Sequence, residues 1–373
     1  MSHEQRTLLA DTLQRLFADH AQPQSAVSEG WNTALWRQLD EMGLPLLMVA
    51  EAQEGYGGSW DDAFVVAQAL GSHAVALPLA ETVMARALAV RHGLPAGPGP
   101  LGLASAASGS LDRAGRFTGT LHGVPWGRHL EQVLAVIDQD GAHHLLMLPR
   151  AEATLREGHN PAGEPRDRLG FDGADARVVR CDAALGRELL YHGALWRVGQ
   201  IAGALEALLA RSVTHVRERV QFGKPIASFQ AVQQQMAVFG AEVAAVGCAA
   251  RAACRSATVG EARFEIAAAK LRANLAIDCA NAVAHQVHGA IGFTREHDLR
   301  HFTQRLLAWR SEFGNDRHWS EALGQAVISR GVDTFWADLT ARGDAAAMAS
   351  AADEPAGAAV DTVVANPEKE RAR

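Results

Sequence analysis

The sequence predicts an α+β protein, mainly α, in three parts with a tail. These are an N-terminal α-helical domain (1–98), a small middle β domain (99–185), a C-terminal four-helix bundle (186–340) and an Ala-rich tail (341–373). Three observations carry this. Apolar residues recur at helical spacing from Glu4 to about His92, give way after a Pro/Gly cluster to short strand-like runs, and return to the helical period from Ala183 onward.

In the first part Leu8, Leu9, Leu13, Leu16 and Phe17 make one helical stripe, and "DDAFVVAQALG" and "ETVMARALAVRHG" make two more, with the glycine loop "EGYGGSW" (Glu54 to Trp60) among them. The cluster "GLPAGPGPLG" marks the boundary. Beyond it, "EQVLAVI" and "HHLLMLP" flank "DQDG", a hairpin whose turn residues tolerate positive φ, and "GRFTGTLHGV" and "ARVVRCD" read as further strands. In the third part Val198, Ile201, Leu205, Leu208 and Val216 define one helix. Met236, Phe239, Val243 and Val246 define a second with Ser228 as its N-cap, Leu271 to Val287 a third, and "SEALGQAVISRGVDTFWADL" a fourth. The tail is low in large apolar residues and is expected to be disordered, the alternative being an extension of the last helix.

Composition narrows the function classes. With 48% hydrophobic residues in 373, the chain can fill several cores. A net charge of −7 without a Lys/Arg run argues against nucleic acid as a partner. Four cysteines (Cys181, Cys248, Cys254, Cys279) without CxxC spacing argue against a disulfide framework or zinc site and favour a reducing, cytoplasmic location. The polar, amphipathic start and the lack of a long uninterrupted apolar run give no expectation of export or membrane insertion. His285, His288, His297 and His301 lack a matching Asp/Glu/Cys set and are read as ordinary histidines, with no metal expected. Trp60, Trp126, Trp196 and Trp309 are read as core or interface residues.

The most informative stretch is "RVQFGKPIASFQAVQQQMA", Arg219 to Ala237. A long helix stops there because Gly223 can adopt the left-handed conformation and Pro225 cannot continue the ladder. Arg219, within a turn of the break, can pair bidentately with a phosphate, and Gln230 just beyond can bond a ribose or ring edge. An ordinary helix hairpin fits the same residues. The second stretch, "HQVHGAIGFTREHDLRHF", places Gly-rich sequence after a helix, whereas the glycines of a Rossmann unit follow a strand.

Together these stretches resemble the acyl-CoA dehydrogenase family. The order of helical, β and helical domains, the "EGYGG" loop, and the segments "RVQFGKPIASFQAVQQQMA" and "AAAKLRANLAIDCANAVAHQVHGAIGFTREHDL" carry the resemblance over roughly Glu4 to Thr340. It implies an FAD-dependent oxidoreductase of lipid metabolism, as in fatty acid β-oxidation, assembled as a tetramer (a dimer of dimers, homo- or hetero-oligomeric). Its substrate would be an acyl-CoA and its acceptor an electron-transfer flavoprotein. By the same resemblance Arg219 and Phe222 meet FAD of the neighbouring subunit, and Gln286 and the turn Gly289 to Gly292 contact the adenosine half. Ala290 stands where a second glycine is usual.

The implied reaction is α,β-dehydrogenation: a carboxylate takes a proton from Cα while a hydride leaves Cβ for the flavin. The family places its glutamate on the loop that here reads "WRSEFGND" or on the first helix of the C-terminal domain. Ungapped matching puts Phe313-Gly314 where Glu-Gly is usual and Gly193 at the alternative position. Glu312 lies one residue early and is the candidate base; an ordinary helix-end charge is the alternative, and Glu188, about a turn and a half from Gly193, is read as solvated. The flavin-side region of the β domain is reduced to "GLASAASGSLDRAG", in which Ser108 and Ser110 are candidate replacements. These departures look like the divergent subunits of heterotetrameric acyl-CoA dehydrogenases of steroid degradation, in which one chain brings the base and the other completes the FAD site. A self-sufficient dehydrogenase and a non-catalytic, FAD-completing subunit both remain open at this stage.

Overall fold

The computed structural model describes residues 1–20, 31–294 and 296–342, the Val332 side chain excepted. Four helices come first: α1 (His3–His20), α2 (Thr33–Glu41), α3 (Trp60–Ser72) and α4 (Leu79–Arg91). Leu13 and Phe17 of α1 are fully buried, and the helix packs on α3. The glycine loop before α3 ends in a capping box, in which the Ser59 amide and Asp62 carboxylate bond at 2.7 Å.

Eight strands follow: β1 (Leu101–Leu103), β2 (Ala106–Leu111), β3 (Arg116–Pro125), β4 (Gln132–Gln139), β5 (Ala142–Pro149), β6 (Thr154–Arg156), β7 (Arg166–Asp175) and β8 (Arg177–Cys181). They form two four-stranded sheets, β1-β4-β5-β8 and β2-β3-β7-β6, with only the β1/β4 pair parallel. The β4–β5 hairpin turns on Asp140 and Gly141, both at positive φ, as the "DQDG" sequence predicts. Its strands lack a polar face for a reason. Val133, Ala135, Ile137, Leu146 and Leu148 fill the space between the sheets, whereas Leu134, Leu145 and Met147 join the helical core, so this sheet is covered on both sides. Strand β2 was not visible in the sequence, because its exposed "AASGSL" has no apolar alternation.

The C-terminal part contains α5 (Leu185–Glu218), α6 (Gln230–Val259), α7 (Arg263–His288), α8 (Leu299–Ser311) and α9 (Asp316–Arg330). The 34-residue α5 is the central post, packed by α3, α6, α7 and α8. Its crossing with α3 is so close that a Cβ on Gly203 would stand 2.0 Å from the Gln68 carbonyl oxygen. The fourth bundle helix is α8, not the "SEALGQAVISRGVDTFWADL" stretch; that stretch breaks at Gly331, where φ is +94°. Helix α6 has the length and apolarity to cross a membrane, but Phe239, Val243, Val246 and Ala250 are buried within the protein. The four cysteines are unpaired, and Trp60, Trp126, Trp196 and Trp309 are buried core residues.

Residues 330–342 belong to a second unit with a helix over 335–342, which takes in the first two residues of the expected tail; the rest of that tail lies outside the described residues.

Candidate functional site

A cavity of about 700 Å³ opens between β2, β3 and the 159–166 loop on one side and α5 and the α8–α9 turn on the other. Ser105 and Ala107 lie on one wall, and Leu189, Glu312 and Phe313 on the other. Ser108 and Ser110 sit farther along the exposed β2; Ser108 Oγ donates to the Thr120 carbonyl at 3.5 Å, and the serines that line the cavity are Ser105 and, across from it, Ser311.

Both positions at which the family resemblance places a base meet here, and neither carries a carboxylate. Phe313 adopts φ +53°, in the left-handed region that strains an aromatic residue. Its ring lies directly over Gly193, so close that a Cβ at position 193 would fall 2.2 Å from two ring carbons. The ring also lies 5.6 Å from the Arg197 guanidinium. Several buried groups hold the turn. Trp319 Nε1 donates to the Phe313 and Gly314 carbonyls at 3.2 and 3.1 Å, and Lys270 Nζ donates to those of Trp309, Arg310 and Gly314 at 3.1 to 3.2 Å. The Lys270 amine is pushed down to about 7 by its burial and, next, by Arg197. Gly193→Ala is expected to destabilise the protein by about 1–3 kcal/mol through overpacking. Combination with Phe313→Gly should recover much of that loss, as a urea-unfolding double-mutant cycle would measure.

Glu312 is the last cap of α8, and its carboxylate turns into a buried ion network. Oε1 accepts from Arg166 Nε at 2.8 Å and Asn160 Nδ2 at 3.1 Å, and Oε2 accepts from Arg197 Nε at 2.8 Å. Arg197 continues to Glu81 at 2.6 Å and to Gln200. Arg166 and Arg305 both pair with Glu164. Three carboxylates, Glu81, Glu164 and Glu312, are thus matched by three guanidiniums. Burial would raise the Glu312 pKa, but Arg166 and Arg197 outweigh it and hold the group at about 2. A carboxylate so stabilised in its ionised form is a poor proton acceptor. Glu188 is elsewhere, paired with Arg91 at 2.6 Å.

The sequence reading missed this network because its members are far apart in the chain. The available signal was the interruption of apolar helical faces by Arg197 in α5 and Lys270 in α7, both fully buried.

The second region is the end of the bundle where α5 stops. Arg219 leaves the helix in extended conformation, and Val220–Gln221 pairs with Lys224–Pro225 across a tight turn at Phe222 (φ +53°) and Gly223 (φ +78°). The break is therefore a miniature β-hairpin between helices. Ser228 does not cap α6: a 3₁₀ turn over Ile226–Ser228 intervenes, Ser228 Oγ donates to the Pro225 carbonyl at 2.7 Å, and Phe229 takes the N-cap position. Phe222 is 92% exposed, Gln230 is exposed at the first turn of α6, and Arg219 enters no ion pair among the described residues.

The Gly289 turn lies at the same end of the bundle. His215, one turn before Arg219, stacks on His288 with ring centroids 4.3 Å apart, and His288 immediately precedes Gly289. Burial pushes the pKa values of His215, His285 and His288 below the ordinary value and that of His301 to about 4, so the imidazoles here are neutral. Gln286, Gly289 and Ala290 are exposed. Gly289 has φ +64°, and a Cβ there would meet nothing within 4 Å. A guanidinium without an ion pair and two amides without a side-chain hydrogen bond among the described residues, an open glycine turn and an exposed phenyl ring suit an anionic dinucleotide laid across this end.

Residues 184–327 match the family model described as acyl-CoA dehydrogenase, C-terminal domain. Acyl-CoA dehydrogenase IpdE2 of Mycobacterium tuberculosis is 29% identical over 313 residues, covering 81% of this chain and 91% of that protein. The ChsE4-ChsE5 complex of M. tuberculosis superposes with a TM-score of 0.79 at 20% identity, covering 88% of this chain and 98% of the other. Butyryl-CoA dehydrogenase of Megasphaera elsdenii gives 0.77 at 17%, covering 87% and 98%. Family model, relatives along most of the chain and fold agree: residues 184–327 are an acyl-CoA dehydrogenase C-terminal domain, and the rest of the chain is similar to acyl-CoA dehydrogenases in sequence and fold.

Proposed function

We propose that this chain is the FAD-completing subunit of a heteromeric acyl-CoA dehydrogenase acting on bulky, steroid-type acyl-CoA thioesters, and that a partner chain of the same fold supplies the catalytic base. One observation carries the reading: the phenyl ring of Phe313 over Gly193 occupies the place where either family position would present a carboxylate. The one carboxylate that lines the cavity among the described residues, Glu312, is committed to two arginines and an asparagine. The bundle end, by contrast, keeps a full set of groups for a cofactor.

FAD, when bound, supplies the hydride acceptor of the dehydrogenation. Arg219 would hold its pyrophosphate, Phe222 would cover its ring system, Gln230 and Gln286 would bond ribose and base edges, and the backbone from Gly289 to Ala290 would admit the adenosine half. The support for a mixed assembly is twofold. A structural neighbour is itself the complex of two chains, ChsE4 and ChsE5, and another is the steroid ACAD Tcur3481-Tcur3483. An electron-transfer flavoprotein as acceptor belongs to the same proposal.

The test is the visible absorption spectrum of the protein purified alone and after co-expression with a second acyl-CoA dehydrogenase-like chain. The expected result is a colourless lone protein and a yellow complex that bleaches on adding an acyl-CoA. Flavin bands in the lone protein that bleach with acyl-CoA would instead make it a self-sufficient dehydrogenase.

A further inference from the structure

A second cavity, of about 400 Å³, lies between α4, α5 and the loop around Met48 to Gln53. It shares Leu189 with the first cavity but faces the other side of α5, and neither Phe313 nor Glu312 lines it. Its walls are apolar and adaptable: Met48, Trp60, Met84, Leu88 and Leu189, with the small Ala87 leaving room. The size and lining are those of a small-molecule pocket with a few polar groups at one end.

That polar end has defined chemistry. Arg91 Nη1 donates to Glu188 Oε1 at 2.6 Å, and His192 Nδ1 lies 3.6 Å from the same oxygen. Burial, the largest effect, keeps the His192 imidazole neutral, with Glu188 opposing and Arg91 adding to it; the ring packs against Trp60 at 4.9 Å. Glu188 Oε2 and the Nε and Nη2 groups of Arg91 have no hydrogen-bond partner among the described residues. A carboxylate ligand would meet Glu188, and an ammonium would meet Arg91. A hydroxyl group satisfies both, since it donates to Glu188 Oε2 while accepting from Arg91.

We propose that this cavity binds a neutral apolar alcohol, its hydrocarbon body between α4 and α5 and its hydroxyl seated between Arg91 and Glu188. The proposal is independent of what Phe313 and Glu312 do. It assigns a role to Glu188 other than that of a solvated charge.

The test is calorimetric titration of the full chain with decahydro-2-naphthol and, separately, with decahydro-2-naphthoate. The alcohol should bind with a Kd at least tenfold lower than the carboxylate. Glu188→Leu should weaken the alcohol at least tenfold, and Ala87→Trp, which fills the cavity from its wall, should abolish binding. A thermal melt checks that each variant is folded, and Glu188, at the rim, can be altered even if position 87 cannot. Absence of binding, preference for the carboxylate, or alcohol binding that survives either folded variant would overturn the proposal.

Discussion

Glu312→Gln is expected to destabilise the purified subunit by about 3–5 kcal/mol, the range for removing one partner from a buried ion pair. It should leave the turnover of any mixed complex that still assembles unchanged. The carboxylate neutralises Arg197 and Arg166, which are 2% and 12% exposed at their side chains. An amide removes one of the two counter-charges that each guanidinium has, leaving Arg197 with Glu81 and Arg166 with Glu164, and its one carbonyl oxygen cannot replace both lost bonds. The pH dependence follows from the same contacts. In the folded protein the group titrates near 2, against an ordinary 4.5, so the stability it contributes is fully present above about 4.5 and is lost as pH falls toward 2. Urea unfolding of the two proteins should therefore show a large gap at neutral pH that narrows through this window. A base would behave in the opposite way: unfolding would be little changed, and the activity of the pure protein would vanish.

How much of this was legible in the sequence depends on the range of the interaction. The helices and the β4–β5 hairpin were legible because each is written locally, in period and turn chemistry. Strand β2 was not, since its place is set by pairing with β3 rather than by its own pattern. The corner at Arg219 was legible as a break because Gly223 and Pro225 are local signals. That the chain makes a small hairpin there, pushing Ser228 out of the cap, depends on the Val220–Gln221 pairing. Counting residues was enough to find glutamate missing from both base positions. It could not show that positions 193 and 313 touch, or that a phenyl ring fills the gap. Nor could it show that Glu312 binds Arg197, 115 residues away, and Arg166, 146 residues away.

Arg219→Ala is expected to cut the flavin retained by the mixed complex by tenfold or more while changing the unfolding free energy of the lone subunit by no more than about 0.5 kcal/mol. The two effects separate because Arg219 enters no ion pair among the described residues and lies beyond the last turn of α5, so its removal leaves none of their buried groups unsatisfied. A guanidinium opposite a pyrophosphate, by contrast, makes bidentate charge-assisted bonds that an alanine cannot replace. Arg219→Lys should recover only part of the flavin, since an ammonium keeps the charge but not the planar fork. Phe222 provides an internal control: with φ at +53° and its ring 92% exposed, Phe222→Gly relieves backbone strain and should not lower stability, yet it should also loosen the flavin. Retention of full flavin occupancy by both variants would remove the bundle end from the cofactor site. Joint loss of flavin at unchanged stability would mean that this end of the fold is kept for a cofactor and not for the stability of the bundle.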